Sequence, residues 1–148
     1  MRSWKGNCIR AVVRSAKTLV QPDVQVVVNL WKDDPRWRVE AYYHLPIPDG
    51  RLRDERRLLD VSRAVAADIR AGACALTMCH AGRNRSGLMS ALILRELVNL
   101  DGTDAMWLVR EARPRAIANP YFEAFLTALA APRPGPERLV GMITEVPA

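Results

Sequence analysis

Residues 73–98 set an apolar stretch, a short polar loop and an apolar helical pattern end to end, and few folds accept that succession. The middle reads Leu76-Thr77-Met78-Cys79-His80-Ala81-Gly82-Arg83-Asn84-Arg85-Ser86-Gly87. It predicts a strand over 73–78, a tight loop from Cys79, and a central helix over 86–98 packed through Leu88, Met89, Leu92, Ile93 and Leu97. A loop that folds into a helix N-terminus aims several backbone N–H groups at one point, where the helix dipole adds positive charge. Such a nest fits a phosphate-like oxyanion. Gly82 supplies positive φ at the sharp turn. Arg85 brings a planar fork that grips two oxygens, which a lysine does not. Cys79 sits at the floor, beside the helix N-terminus and Arg85, and reads as a nucleophile. Ser86 offers a hydroxyl that hydrogen-bonds the sulfur and helps it leave. His80, Ala81, Gly82, Arg83 and Asn84 complete the candidate anion-binding loop with Arg85.

A cysteine six residues before an arginine is a weak signal in an arginine-rich chain, and the N-terminal region holds a decoy, Cys8 followed by Arg14 and Ser15. Context rejects it. Ala11 stands where the glycine is needed, β-branched Val12 and Val13 occupy the turn, and no apolar strand leads in.

The stretch around Cys79 resembles the signature loop of the cysteine-dependent protein tyrosine phosphatases, in their compact dual-specificity branch. The resemblance covers about residues 9–130. Asp49, in Pro46-Ile47-Pro48-Asp49-Gly50, stands where that branch keeps its general-acid aspartate, and residues 113–122 resemble its closing helical segment. The prolines and Gly50 stiffen and then release the chain, placing a carboxyl on a loop at a strand end, where α/β folds keep catalytic groups. Asp54 is the nearest rival; Asp60 falls within a helical pattern. One departure is Met78, at a position where the family usually has a histidine that supports the thiolate.

At 148 residues, 49% apolar and 26% charged, the chain suits one soluble domain with a real core. No apolar run reaches the ~18 residues of a membrane span, and residues 1–5 lack a signal core, so a cytoplasmic location is expected. Three cysteines are too few for a disulfide scaffold, and a thiolate nucleophile needs a reducing compartment. Cys74 reads as a small core residue. The net charge of +6 favours anionic partners without choosing among them. Two histidines and scattered cysteines give no metal-site spacing, and the chemistry needs no cofactor.

In chain order, residues 8–13 predict an edge strand and 15–20 a short helix. The β-branched run 24–31 predicts a strand buried on both faces, and 39–45 another. Helices follow over 51–71, 86–98, from Asp101 or Thr103 through Glu111, and from Asn119 or Pro120 to Ala130. Strands alternating with helices argue an α/β domain: a central, mostly parallel sheet of about four to five strands flanked by helices, with the signature loop between strand and helix. The expected catalytic domain is 1–131, with 132–148 a tail opened by Pro132-Arg133-Pro134-Gly135-Pro136.

The leading functional expectation is a phosphomonoester hydrolase working through a cysteinyl-phosphate on Cys79, a protein tyrosine or dual-specificity phosphatase acting on phosphorylated protein. Arg83 resembles the extra cation of phosphoinositide phosphatases, and Asn84 before Arg85 resembles the RNA 5′-triphosphatases. No aromatic-studded basic stretch supports nucleic acid as a substrate. The alternative of another class is a phosphate-recognition module without turnover. His44, alone in a strand, reads as structural, whereas His80 follows the nucleophile and reads as a rim residue facing substrate.

Overall fold

The computed structural model describes the backbone of residues 8–12 together with residues 24–34 and 36–134; the expected helix over 15–20 and the tail beyond 134 lie outside the described residues. Among the described residues four strands appear: β1 (Cys8–Val12), β2 (Val26–Asn29), β3 (Ala41–His44) and β4 (Cys74–Met78). They form one sheet in the order β1-β4-β2-β3, and every pairing is parallel. All strands therefore deliver their C-terminal ends to the same edge, where an open α/β sheet keeps its ligand crevice.

Alternation along the strands separates two apolar layers. Val26, Val28, Ala75 and Cys79 face the main core, with Leu58, Leu88, Met89, Leu92, Ile93, Phe122 and Leu126 from the helices. Val27, Cys74, Leu76 and Met78 face the other way and pack with Val24, Trp37, Val39 and Tyr42. Met78 is thus a core residue of the second layer, on the opposite face from Cys79. Cys74, 7% exposed in that layer, carries a disulfide rather than a free thiol. A count of three cysteines argues against a scaffold, not against a single bond.

Among the described residues four helices follow their local signals. α1 (Glu55–Arg70) starts at Asp54, whose carboxylate accepts from the Arg57 N–H, and stops before Gly72 at φ 106°. The expected start at 51 lies too early because Asp54 is the N-cap. α2 (Arg85–Val98) is buried at every position from Ser86 to Ile93, as a helix enclosed by neighbours must be. α3 (Gly102–Ala112) is capped by Asp101 and α4 (Pro120–Thr127) by Asn119, with Pro120 in its first turn. Gly102 does more than break a helix. A Cβ there would lie 1.8 Å from the Leu126 carbonyl oxygen, so the start of α3 meets the backbone of α4 with no room for a side chain. Past α4, Arg133 exchanges two hydrogen bonds with Asn99, tying the chain back to the end of α2. Among the described residues no helix is long and apolar enough to cross a membrane.

Candidate active site

Strand β4 ends at Met78 and α2 begins at Arg85, so the loop between them is an arch on two fixed supports. Beneath it the Thr77 hydroxyl donates to the Ser86 carbonyl at 3.3 Å and lies 2.8 Å from the Ser90 hydroxyl, pinning strand to helix. Sequence reasoning passed over Thr77, although a fully buried polar residue in an apolar strand is a signal that its hydroxyl has a partner. Cys79 is 4% exposed, and among the described residues it is the free cysteine. Its sulfur accepts the Gly82 N–H at 3.1 Å, and Gly82 has φ 64°, the left-handed turn expected of it.

Ser86 is fully buried and its hydroxyl has no partner. A buried, unpaired hydroxyl is costly. Arg85 is half-buried; its Nη1 reaches the Ile47 carbonyl at 3.4 Å, a long bond, and among the described residues it makes no ion pair. Ala81 and Arg83 are exposed. His80 is exposed as well, with its ring 5.1 Å from that of Trp31.

Trp31 was not singled out from the sequence, yet its position is fixed on three sides. Its N–H donates to Asn29 Oδ1, its carbonyl accepts from His44 Nε2 at 2.8 Å, and its ring meets His80. His44 is structural, as a lone strand histidine generally is. A polar set backs this wall: Tyr42 donates to Asp34 at 2.7 Å and accepts from Asn29, while His44 Nδ1 faces Asp34 at 3.5 Å. The Tyr42 bond holds Asp34 below the ordinary carboxylate pKa, and burial pushes the Tyr42 phenol up to about 12. Trp31 and Arg85 line a cavity of about 320 Å³ with Lys32, Pro46, Ile47 and Pro48.

The acid candidate reaches the same loop. Asp49 Oδ2 accepts from Asn84 Nδ2 at 3.0 Å, and Oδ1 accepts from Asn119 Nδ2 at 2.8 Å. Asp54 is spent on capping α1, and Asp60 lies inside it. Asp49, Asn84, Asn119 and Tyr121 border a second cleft of about 320 Å³. Arg110, also unremarked in the sequence, steadies that wall: it donates to the carbonyls of Ala116 and Ile117 and pairs with Glu123. Ile117 sits at φ 58°, a strained conformation for a β-branched residue, and its N–H donates to the Arg83 carbonyl. The contacts therefore join Cys79 to Gly82 and Asp49 to Asn84 of the same loop, with Ser86 buried in the first turn of α2 and His80, Ala81 and Arg83 exposed. Among the described residues no three His, Cys, Asp or Glu side chains form a group able to hold a metal.

Comparison with known proteins places this arrangement. No family model and no curated protein matches the chain. Solved structures do. Human DUSP28 is 29% identical over 70% of this chain and 72% of its own, with a TM-score of 0.62. A mouse putative dual specificity phosphatase, solved with zinc tungstate, is 28% identical over 70% and 67%, with a TM-score of 0.61. Tk-PTP, in its active form, is 26% identical over 71% and 77%, also at 0.61. The chain is similar to the dual-specificity phosphatases of the cysteine-dependent protein tyrosine phosphatase superfamily, and that likeness supports a phosphatase. In this phosphatase the strand, loop and helix that carry Cys79 are the parts the sequence marked out, whereas the contacts around Asp49 come from residues far apart in the chain.

Proposed function

We propose that this phosphatase hydrolyses phosphomonoesters on protein, phosphotyrosine first among them, through a cysteinyl-phosphate on Cys79. The observation that carries this reading is the free Cys79 at the end of β4, its sulfur under the Gly82 N–H and its loop running straight into the N-terminus of α2. In the first step the Cys79 thiolate attacks phosphorus, the bond to the leaving oxygen breaks, and Asp49 gives that oxygen its proton. Arg85 swings from the Ile47 carbonyl to hold two equatorial oxygens, beside the open first-turn amides of α2. In the second step water attacks phosphorus, the Asp49 carboxylate takes the water's proton, and sulfur departs with the Ser86 hydroxyl as its donor. Ser86, buried and unpaired at rest, gains a partner in the act.

The Trp31 and His80 rings beside the Arg85 cavity favour an aromatic phosphoester. An RNA 5′-triphosphate is disfavoured, since the Asn84 side chain that suggested it is engaged with Asp49. Phosphoinositides rest on the exposed Arg83 alone. We take 1–131 as the catalytic unit, with the start of the tail anchored through Arg133; a cytoplasmic location suits the thiol of Cys79, while the disulfide at Cys74 argues the other way. Phosphate release from phosphopeptides, phosphoinositides and triphosphate RNA tests class and substrate together. Cys79→Ser is expected to abolish turnover while phosphopeptide still binds; turnover without Cys79 overturns the mechanism.

A further inference from the structure

We propose that Asn84 is a positioning residue that clamps the Asp49 carboxyl in register with the signature loop. The inference rests on the reading of Asp49 as the general acid. It starts from an anomaly at α2. Asn84 occupies the N-cap position, and asparagine is among the best capping residues, yet its side chain makes no capping bond. The side chain is used elsewhere. Asn84 Oδ1 accepts from the Ala118 N–H at 2.8 Å and the Asn119 N–H at 3.1 Å. Backbone N–H groups only donate, so these two bonds fix which end of the amide is oxygen and force the NH₂ toward Asp49 Oδ2.

The partner amide is fixed in the same way. Asn119 Oδ1 accepts from the Tyr121 and Phe122 N–H groups as the cap of α4, which turns its NH₂ to Asp49 Oδ1 and the Gly50 carbonyl. Each carboxyl oxygen is thus gripped by one amide that has no freedom to flip. Each oxygen retains a second lone pair, so the proton to be transferred is carried without breaking either bond. Two consequences follow for one side chain. The diverted Asn84 leaves the first-turn amides of α2 uncapped for the phosphoryl group, and it couples the acid loop to the nucleophile's loop across 35 residues of sequence. A lost clamp lets the acid wander, and misplacement of about 1 Å can cost on the order of 10²-fold in rate.

The discriminating variant is Asn84→Asp, which keeps an acceptor for the Ala118 and Asn119 N–H groups, loses the donor to Asp49 and faces it with like charge. Asn84→Ala, removing every contact, is the second variant should the first misfold. Rates are compared on a phosphoserine peptide, whose leaving group needs a proton, and on p-nitrophenyl phosphate, whose leaving group departs unaided. The expected loss is about tenfold to a hundredfold greater on the peptide than on the aryl ester, any loss common to both belonging to the anion loop itself. In an Asp49→Asn background, adding the Asn84 change is expected to show no such excess, costing the peptide no more than the aryl ester. Equal losses on both substrates, or a full extra loss in the Asp49→Asn background, overturn the clamp and leave Asp49 as the acid. If Asp49→Asn alone shows no leaving-group dependence, the acid assignment fails and the clamp with it.

Discussion

Asn119 Nδ2 donates to Asp49 Oδ1 over 2.8 Å, joining two residues 70 positions apart in the chain. The bond makes the N-cap of α4 part of the acid loop's support. It also sets Asp49 apart from Asp54, which turns its carboxylate to the Arg57 N–H at the start of α1.

From that division of labour, the two aspartates give opposite signatures. Asp49→Asn is expected to slow phosphopeptide hydrolysis by roughly 10²–10⁴, sparing much more of the rate on an aryl phosphate. Asp54→Ala is expected to leave both rates intact and to lower stability by about 0.5–2 kcal/mol, the usual cost of a lost cap. Steady-state rates on both substrates and urea unfolding of both variants decide it. A leaving-group-dependent loss from Asp54→Ala reverses the assignment.

Gly102→Ala tests the contact between α3 and α4. In an ordinary helix this change stabilises by roughly 0.5–1 kcal/mol. Here the new Cβ lands 1.8 Å from the Leu126 carbonyl, which is backbone and has nowhere to rotate. The sign is expected to reverse, with a loss of about 1–3 kcal/mol as the two helices are pushed apart. Thermal unfolding reads it, and an unchanged or raised Tm refutes the close approach.

Tyr42 and Tyr43 both have raised phenol pKa values, chiefly through burial, with Tyr42 near 12 against 10 for the free side chain. The unfolded phenols ionise first as pH rises. The protonated folded state is therefore fully favoured below about pH 10, and stability falls as pH climbs through the raised values. Tyr42→Phe is expected to make that fall shallower, with Tyr43 retaining part of it. Denaturant midpoints at pH values of about 9 and about 11 measure the difference. An unaltered slope shows that the Tyr42 phenol ionises no later than a free one.

The sequence made the signature loop legible because its information is local. Cys79, Gly82 and Arg85 lie within seven residues, and Gly82 has the positive φ its place in the turn demanded. The buried run at Val26–Asn29 was legible for the same reason, being apolar with polar stops. Asn84 and Asn119 were visible as residues but not as a pair, since no periodicity tells which distant amides will converge on one carboxylate. Trp31 and Arg110 escaped notice because one sits in a loop after a strand and the other on a polar helix face. Met78 stood out as a departure, and the strand's alternation settles its surroundings by turning it into the second apolar layer.

The arch from Cys79 to Asn84 hangs between a strand and a helix that Thr77 fastens together below it. Its span is consequently set by the scaffold, so an inserted or deleted residue there has no slack to draw on. Its outward side chains carry no such debt. Ala81 and Arg83 project into solvent, and replacing either alters what the mouth of the site meets without disturbing how the sulfur is held. Those two positions are free to vary while the hold on the sulfur stays the same.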